Sequence, residues 1–488
     1  MYGSTKSNCS VSEGNMKNIA KILIVVFIFA LIMTACSGEQ PEIFDEEFEK
    51  SSGALDLEGL TLVYEFGMDP NVLDVPTCLG YELDTHFGDL AQARLKKTQS
   101  DLNCTLDIRY TNNYNSCRQF VAASASGVFM CDIINGISDM WADVARIGML
   151  VGLSELEDFI DFRNEDKWGH TSMLEVIYYE DDLYGITPML WPEISVTFGS
   201  PIVINENMIA TLGETDPRDL FENGQWTWDT FDECLGRYYI EEAGEVKQYS
   251  LTAGTGTFGV MFVLSNGSHY IEYDPSGEMV CGFYSKEAIK AMQRGIEIFY
   301  GPNGHTIDST TDVTDALLGD RTVLGSLGSS NIVGINGKIA KQMENFGLIC
   351  WPSGPDVEPG YIVGQHANID NCISFSRMSH HPEACAAVIN VLYEPFEEYP
   401  TIDSLIDLMA KNYFYDRRDA EIYYGMCFNS VYNYFHYSGM YDFMHAWLSP
   451  TKAVSEYLEQ NKTMIDERMN EYARATMNGI QAVWGDED

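Results

Sequence analysis

Basic residues are scarce in this chain. Lys and Arg number 29 among 488 residues, against 73 Asp and Glu, for a formal net charge of −44. So few cations exclude nucleic-acid binding, which needs basic patches to displace phosphate counterions. They equally exclude docking on an anionic membrane by charge alone. Signatures of catalysis and cofactor binding are also missing. There is no HExxH, no GxSxG elbow and no P-loop. The 12 cysteines include no CxxC, and none pairs with the 9 histidines at zinc-finger spacing. No internal repeat or low-complexity tract occurs.

What is present is globular. The hydrophobic fraction is 45% and the charged fraction 21%, which is not the composition of a disordered acidic tail. The length suits two or three domain-sized units with sizeable cores. Aromatics reach 12%; they serve either as core or as stacking faces for flat ligands.

The N-terminus sets the compartment. Lys17 and Lys21 precede an apolar run, residues 22–33, that is too short for a membrane span of about 20 residues. Met33-Thr34-Ala35-Cys36 follows, then Ser37-Gly38-Glu39-Gln40. This order describes a secretory signal with a small-residue cleavage site, and Cys36 after Ala35 resembles a bacterial lipobox, with Cys36 as the lipidated mature terminus. Either Met1 or Met16 is the start. The acidic stretch 40–54 reads as a tether. Removing residues 1–35 leaves 26 basic and 72 acidic residues, a charge of −46. Cys131, Cys350, Cys372 and Cys385 lie in apolar contexts and read as core. Cys78, Cys104 and Cys117 lie in more polar stretches and are open to pairing.

From residue 56 onward, strand and helix patterns alternate. Residues 60–66, 106–110 and 128–134 read as strands, separated by helical patterns around Leu90–Lys97 and 119–125. This indicates parallel α/β units, whose ligands bind beyond the carboxyl ends of the strands. Thr227 or Asp229 is positioned to cap a helix, and Pro382 to open one. Residues 451–477 read as a long C-terminal helix. Gly254-Thr255-Gly256-Thr257-Phe258-Gly259 matches GxGxxG, but the pattern after it is a weak helix start, so it reads as a turn or a backbone approach to ligand. Asp308, Asp312 and Asp315 lack a calcium-loop pattern, and Asp312 reads as a helix cap.

Several segments, in order, carry a resemblance. They are Leu183-Tyr184-Gly185-Ile186-Thr187-Pro188, Ile204-Asn205-Glu206-Asn207-Met208, Trp226-Thr227-Trp228-Asp229, Ile349-Cys350-Trp351-Pro352 and Ser379-His380-His381-Pro382-Glu383-Ala384-Cys385. Behind a lipobox and an acidic tether, they resemble the extracellular solute-binding lipoproteins of ABC importers, of the carbohydrate, maltose-binding-protein-like type. The resemblance implies an α/β fold of two lobes (periplasmic-binding-protein-like, type II) joined by crossover hinge strands. It divides the chain into a signal (1–35), a lipidated tether (36–55), the first part of lobe 1 (56–195), the first part of lobe 2 (196–365) and a returning segment completing both lobes (366–488). The implied function is non-enzymatic capture of a sugar or oligosaccharide and its delivery to a membrane permease. The implied protein is a monomer held on the membrane by its N-terminal lipid, with no cofactor, no metal and no nucleic-acid partner. A peptide or other small-solute receptor of the same fold is the alternative, and a secreted glycoside hydrolase a further one.

The resemblance places Asp139 in a ligand-contacting loop; as a plain residue it equally caps a helix. Trp141 offers a stacking face or packs in the lobe. Asp69 binds a hydroxyl or shapes the turn before Pro70. Trp191 and Glu193 flank Pro192 at the first crossover, where side chains face a cleft. Tyr361 and Gln365 lie at the return crossover, and Tyr432 in a late aromatic cluster suits a sugar platform or packing. Gly328-Ser329-Ser330-Asn331 stands where the family often has an aromatic, which departs from a maltose-like stacking platform.

Overall fold

The computed structural model describes residues 55–484, apart from 69–72, 137–140, 170, 193–197, 276–278, 336, 367–370, 415 and 434–452. Strand β1 (Leu60–Met68) is followed by helix α1 (His86–Asp101), β2 (Cys104–Asn112), α2 (Asn113–Ala125), β3 (Ile133–Gly136) and α3 (Trp141–Arg146). A short hairpin, β4 (Tyr178–Tyr179) and β5 (Asp182–Leu183), closes this section. β1 runs parallel to β2, Leu60 beside Cys104 and Met68 beside Asn112, and parallel to β3, Tyr64 beside Ile133. A central parallel strand is covered on both faces, which is why β1 is apolar almost throughout. Thr85 caps α1 and Asn112 caps α2, each accepting a backbone N–H of the first turn. Gly67 is required where α2 meets the sheet: a Cβ there would lie 2.7 Å from the Asn135 carbonyl and 2.9 Å from Asn113 Cβ.

A second sheet follows. Its strands are β6 (Ile202–Asn205), β7 (Glu245–Thr252), then, after the side hairpin β8 (Ile271–Tyr273) and β9 (Met279–Cys281), β10 (Ile307–Asp308), β11 (Thr322–Ser326) and β12 (Phe346–Ile349). The helices between them are α4 (Glu206–Leu212), α5 (Pro217–Glu222), α6 (Trp228–Tyr238), α7 (Thr255–Leu264), α8 (Lys286–Phe299) and α9 (Val313–Leu318). The strand order is β10-β7-β11-β6-β12, with β7 parallel to β10 and β11, and β6 antiparallel to β11 and β12. Thr227, not Asp229, caps α6, and Asp312 caps α9.

The chain then returns. β13 (Gly364–His366) leads to β14 (Cys372–Phe375), which joins the first sheet antiparallel to β3 and completes the order β14-β3-β1-β2. Helix α10 (Pro382–Leu392), with Pro at its first turn, packs on the first lobe. α11 (Ile402–Met409) and α12 (Arg417–Phe428) pack on the second, where α12 lies against β12. β15 (Ser430–Tyr432) pairs with β13, and α13 (Val454–Trp484) ends the chain.

Three expectations change. The apolar stretch 128–134 forms a strand only from Ile133, because pairing with β1 begins there; Val128 and Phe129 are 56% and 46% exposed. The GxGxxG stretch is not a turn: Gly254 is the N-cap of α7 directly after β7, and eight of the ten α7 residues are buried. Cys78, Cys104 and Cys117 form no disulfide with one another; all ten cysteines among the described residues are buried.

The aromatic excess is largely core. Trp226, Phe231, Phe258, Phe262 and Trp351 form one cluster in the second lobe. No helix of the described residues is long and apolar enough to cross a membrane.

Candidate functional site

In the first lobe the carboxyl ends of β1, β2 and β3 lie at one edge of the sheet, beside the amino end of antiparallel β14. In the second, the carboxyl ends of β7, β11 and β12 lie beside the amino end of β6. The chain leaves the first lobe before β6 and re-enters it at β14, so it crosses between these two edges. Carboxyl edges of parallel strands are where open α/β sheets bind ligands.

The crossing segments are joined to one another. Gly199 bridges Gln365, and its N–H donates to the Gln365 carbonyl at 2.5 Å. Gln365 in turn lies beside Val431 of β15. The Gln365 side chain, 8% exposed, is held at both ends. Its Nε2 donates to Ser200 Oγ at 3.0 Å, while its Oε1 accepts from Tyr270 Oη at 3.1 Å and Asn433 Nδ2 at 3.3 Å. Burial holds the Tyr270 phenol far above its usual range, so it acts here as a neutral donor.

Each edge carries hydrogen-bonding groups, both hydroxyls and amides and two carboxyl side chains. In the second lobe, Ser329 is tied to the crossover by a reciprocal pair: its N–H donates to the Phe198 carbonyl at 2.9 Å, and its Oγ accepts the Phe198 N–H at 3.0 Å. At the end of β10, Asp308 accepts from the N–H groups of Thr310 and Thr311 and from Thr310 Oγ1. Burial works to raise this carboxyl, but those hydrogen bonds outweigh it and hold it below the usual range. In the first lobe, Glu65 is 3% exposed and accepts from Thr111 Oγ1 at 2.7 Å. Asn135, at the end of β3, donates to Tyr64 Oη at 3.5 Å, and Tyr64 Oη lies 3.0 Å from Tyr393 Oη.

The residues expected from sequence fall out unevenly. Gln365 is central to the crossing. Tyr432 is buried beside His366, the rings 5.4 Å apart, so it presents no open platform. Tyr361 is half-buried just before β13, and its carbonyl accepts from Cys350 Sγ. Trp191 is the clear correction. It is 0% exposed, with Tyr393 and Phe396 at 4.7 Å and Tyr81 stacked at 5.9 Å, and its Nε1 donates to the Glu394 carbonyl. Those partners all belong to the first lobe, so Trp191 is core rather than a cleft wall. Trp141 opens α3, and its side chain lies outside the described residues. So do Cys36, Asp69, Asp139 and Glu193.

Sequence reading missed Ser200, Glu65, Tyr270 and Asn433. Glu65 had a signal, being an acid inside an otherwise apolar strand. Ser200 had one in Gly199-Ser200-Pro201, a turn-like triplet just before an apolar strand.

No family model matches the chain, and no curated protein matches it. Solved structures do. A cyclo/maltodextrin-binding protein complexed with maltotetraose aligns at TM-score 0.57 and 12% identity, covering 86% of this chain and 99% of that one. This chain has the two-lobed solute-binding fold. An ABC substrate-binding protein from Listeria monocytogenes in complex with cycloalternan aligns at TM-score 0.53 and 11% identity, over 84% and 99% of the two chains. A sugar transporter protein from Rhizobium etli in an open conformation aligns at 0.57 and 13%, over 86% and 100%. At these identities the likeness is one of fold. Within that fold, the crossing at Gly199, Gln365 and Val431 stands between the lobes.

Proposed function

We propose that this chain is the extracellular solute receptor of an ABC importer. It captures a sugar or oligosaccharide between its lobes and presents it to a membrane permease, without covalent chemistry. One observation carries the reading: the binding edges of two α/β sheets are linked by crossing segments that pair with each other, a geometry suited to closure on a ligand. The groups described at those edges are mostly hydroxyls and amides, which suit neutral hydroxyl-rich ligands. A net charge of −44 disfavours anionic ones. Maltotetraose, cycloalternan and acarbose, carried by proteins of the same fold, are the first probes to use.

In this proposal Asp69, Asp139 and Glu193 contact ligand hydroxyls, and residues 56–195, 196–365 and 366–488 divide between the lobes as the resemblance implies. Cys36 carries the lipid, and the receptor acts as a monomer. A thermal-shift panel of neutral oligosaccharides tests the reading, since a ligand that binds only the folded state raises the melting point by mass action. A saturable rise without product formation supports it. Turnover of the saccharide, or a response only to peptides, overturns it. Incorporation of labelled palmitate that is lost in Cys36→Ala tests the anchor.

A further inference from the structure

Helix α13 holds both lobes at once. Its 31 residues span about 46 Å at 1.5 Å per residue. Toward its amino end it lies on the second lobe. The Lys462 ammonium sits 4.3 Å from the Tyr284 ring centroid, and Tyr284 Oη donates to the Lys462 carbonyl at 3.4 Å. Cys281 and Tyr284 both feel the charge of Asp466.

A few residues further on, the partner changes to the first lobe. Glu471 lies 3.9 Å from Arg146 of α3. The Glu180 N–H, in the β4–β5 hairpin, donates to the Ala475 carbonyl at 2.8 Å, and Asn478 Nδ2 donates to Glu180 Oε2 at 3.2 Å. Trp484 Nε1 donates to Tyr178 Oη at 2.8 Å.

Gly479 shows how close this seam is. Glycine is among the poorest helix formers, yet it stands inside α13. A Cβ there would lie 2.7 Å from the Tyr179 nitrogen and 3.1 Å from the Asp182 carbonyl oxygen. Helix and hairpin therefore meet backbone to backbone. The two ends differ in kind: several directional bonds and a backbone-close glycine contact fix α13 to the first lobe, while on the second it packs against β9 and α8, with Lys462 and Asp466 gathered at Tyr284.

We infer that α13 is a strap. It is anchored on the first lobe and rides on the second through a Tyr284–Lys462 saddle, and this contact sets the balance between lobe arrangements. A rigid helix bound to both lobes cannot stay bound to both while they rotate apart, so the saddle is where it slips. The inference rests on the two-lobed fold and is independent of what the receptor binds.

The test therefore uses the full chain without ligand. Small-angle scattering measures the ratio of compact to extended forms for the parent protein, Tyr284→Ala, Gly479→Ala and the exposed control Glu467→Ala. Both strap variants should change that ratio about threefold, the factor that a contact of this kind carries, while the control leaves it alone. If Gly479→Ala fails to fold, Tyr284→Ala decides. A ratio unchanged in Tyr284→Ala, with hydrogen exchange in α13 also unchanged, overturns the inference.

Discussion

The indole Nε1 of Trp351 donates to the carbonyl of Ser200 at 2.7 Å, and Ser200 sits in the left-handed region with φ +77°. Ser326 Oγ reaches the same carbonyl at 3.4 Å. These bonds, with Gln365 on the Ser200 hydroxyl, hold a non-glycine residue in a conformation costing on the order of 1–2 kcal/mol. The strain lies where the chain enters the second lobe.

A substitution series at Ser200 should therefore rank by backbone preference. Ser200→Gly relieves the strain but gives up the Gln365 hydrogen bond, and should stay within about 1 kcal/mol of the parent. Ser200→Ala keeps the strain and strands Gln365 Nε2, costing about 1–3 kcal/mol. Ser200→Val adds a β-branched side chain at positive φ and should cost the most. Urea unfolding reads all three; a valine variant as stable as the glycine one would disprove the account.

Trp191→Ala should act on the fold and not on ligand capture. With Tyr81, Tyr393 and Phe396 around it, truncation leaves a cavity worth about 3–5 kcal/mol of stability. The check is a large drop in denaturant midpoint, with ligand affinity intact wherever the protein remains folded.

Trp191 also marks the limit of what the sequence discloses. Periodicity and caps are local properties, so β1, β2, the cap at Thr227, Pro382 of α10 and the C-terminal helix were all legible. Whether an aromatic beside a proline faces a cleft or a core depends on residues 200 positions away, here Tyr393 and Phe396, which no local pattern contains. The same holds for the site. Gln365 could be flagged from its place in the returning segment, but its partners Ser200, Tyr270 and Asn433 come together only through sheet topology. Val128 and Phe129 misled for a related reason: apolar residues read as strand until the register with Tyr64 shows where pairing starts.

Alkali should weaken the fold through its thiols. Burial pushes Cys281, Cys350 and Cys427 up to about 12 from an ordinary value of 9.0. A raised value stabilises the folded state fully below the unfolded pKa and is lost as pH rises through the folded one. Stability should therefore fall from about pH 9 upward, by up to about 1.4 kcal/mol per pH unit for each such cysteine. Equilibrium unfolding between pH 7 and 10 measures this. Thiol reagents should label these three cysteines only after denaturant is added.

The buried ion pair of the second lobe gives the sharpest structural test. Arg218 Nη1 binds both oxygens of Asp419 at 3.0 and 2.9 Å, and Asp419 Oδ1 also accepts the Leu348 N–H at 2.7 Å. Asp419 is fully buried, while Asp216 and Glu206 complete the guanidinium's shell. The pair ties α5 and α12 to β12. Asp419→Ala deprives the buried cation of its one fully buried carboxylate and strands the Leu348 N–H, so it should cost about 3–5 kcal/mol. Replacing both charges, Arg218→Met with Asp419→Leu, removes the unpaired charge and should recover part of that loss, although Leu348 still lacks an acceptor and Asp216 and Glu206 lose their cation. Unfolding of Arg218→Met, of Asp419→Leu and of the double closes the thermodynamic cycle. A coupling energy near zero would mean that α12 is held by its apolar face alone.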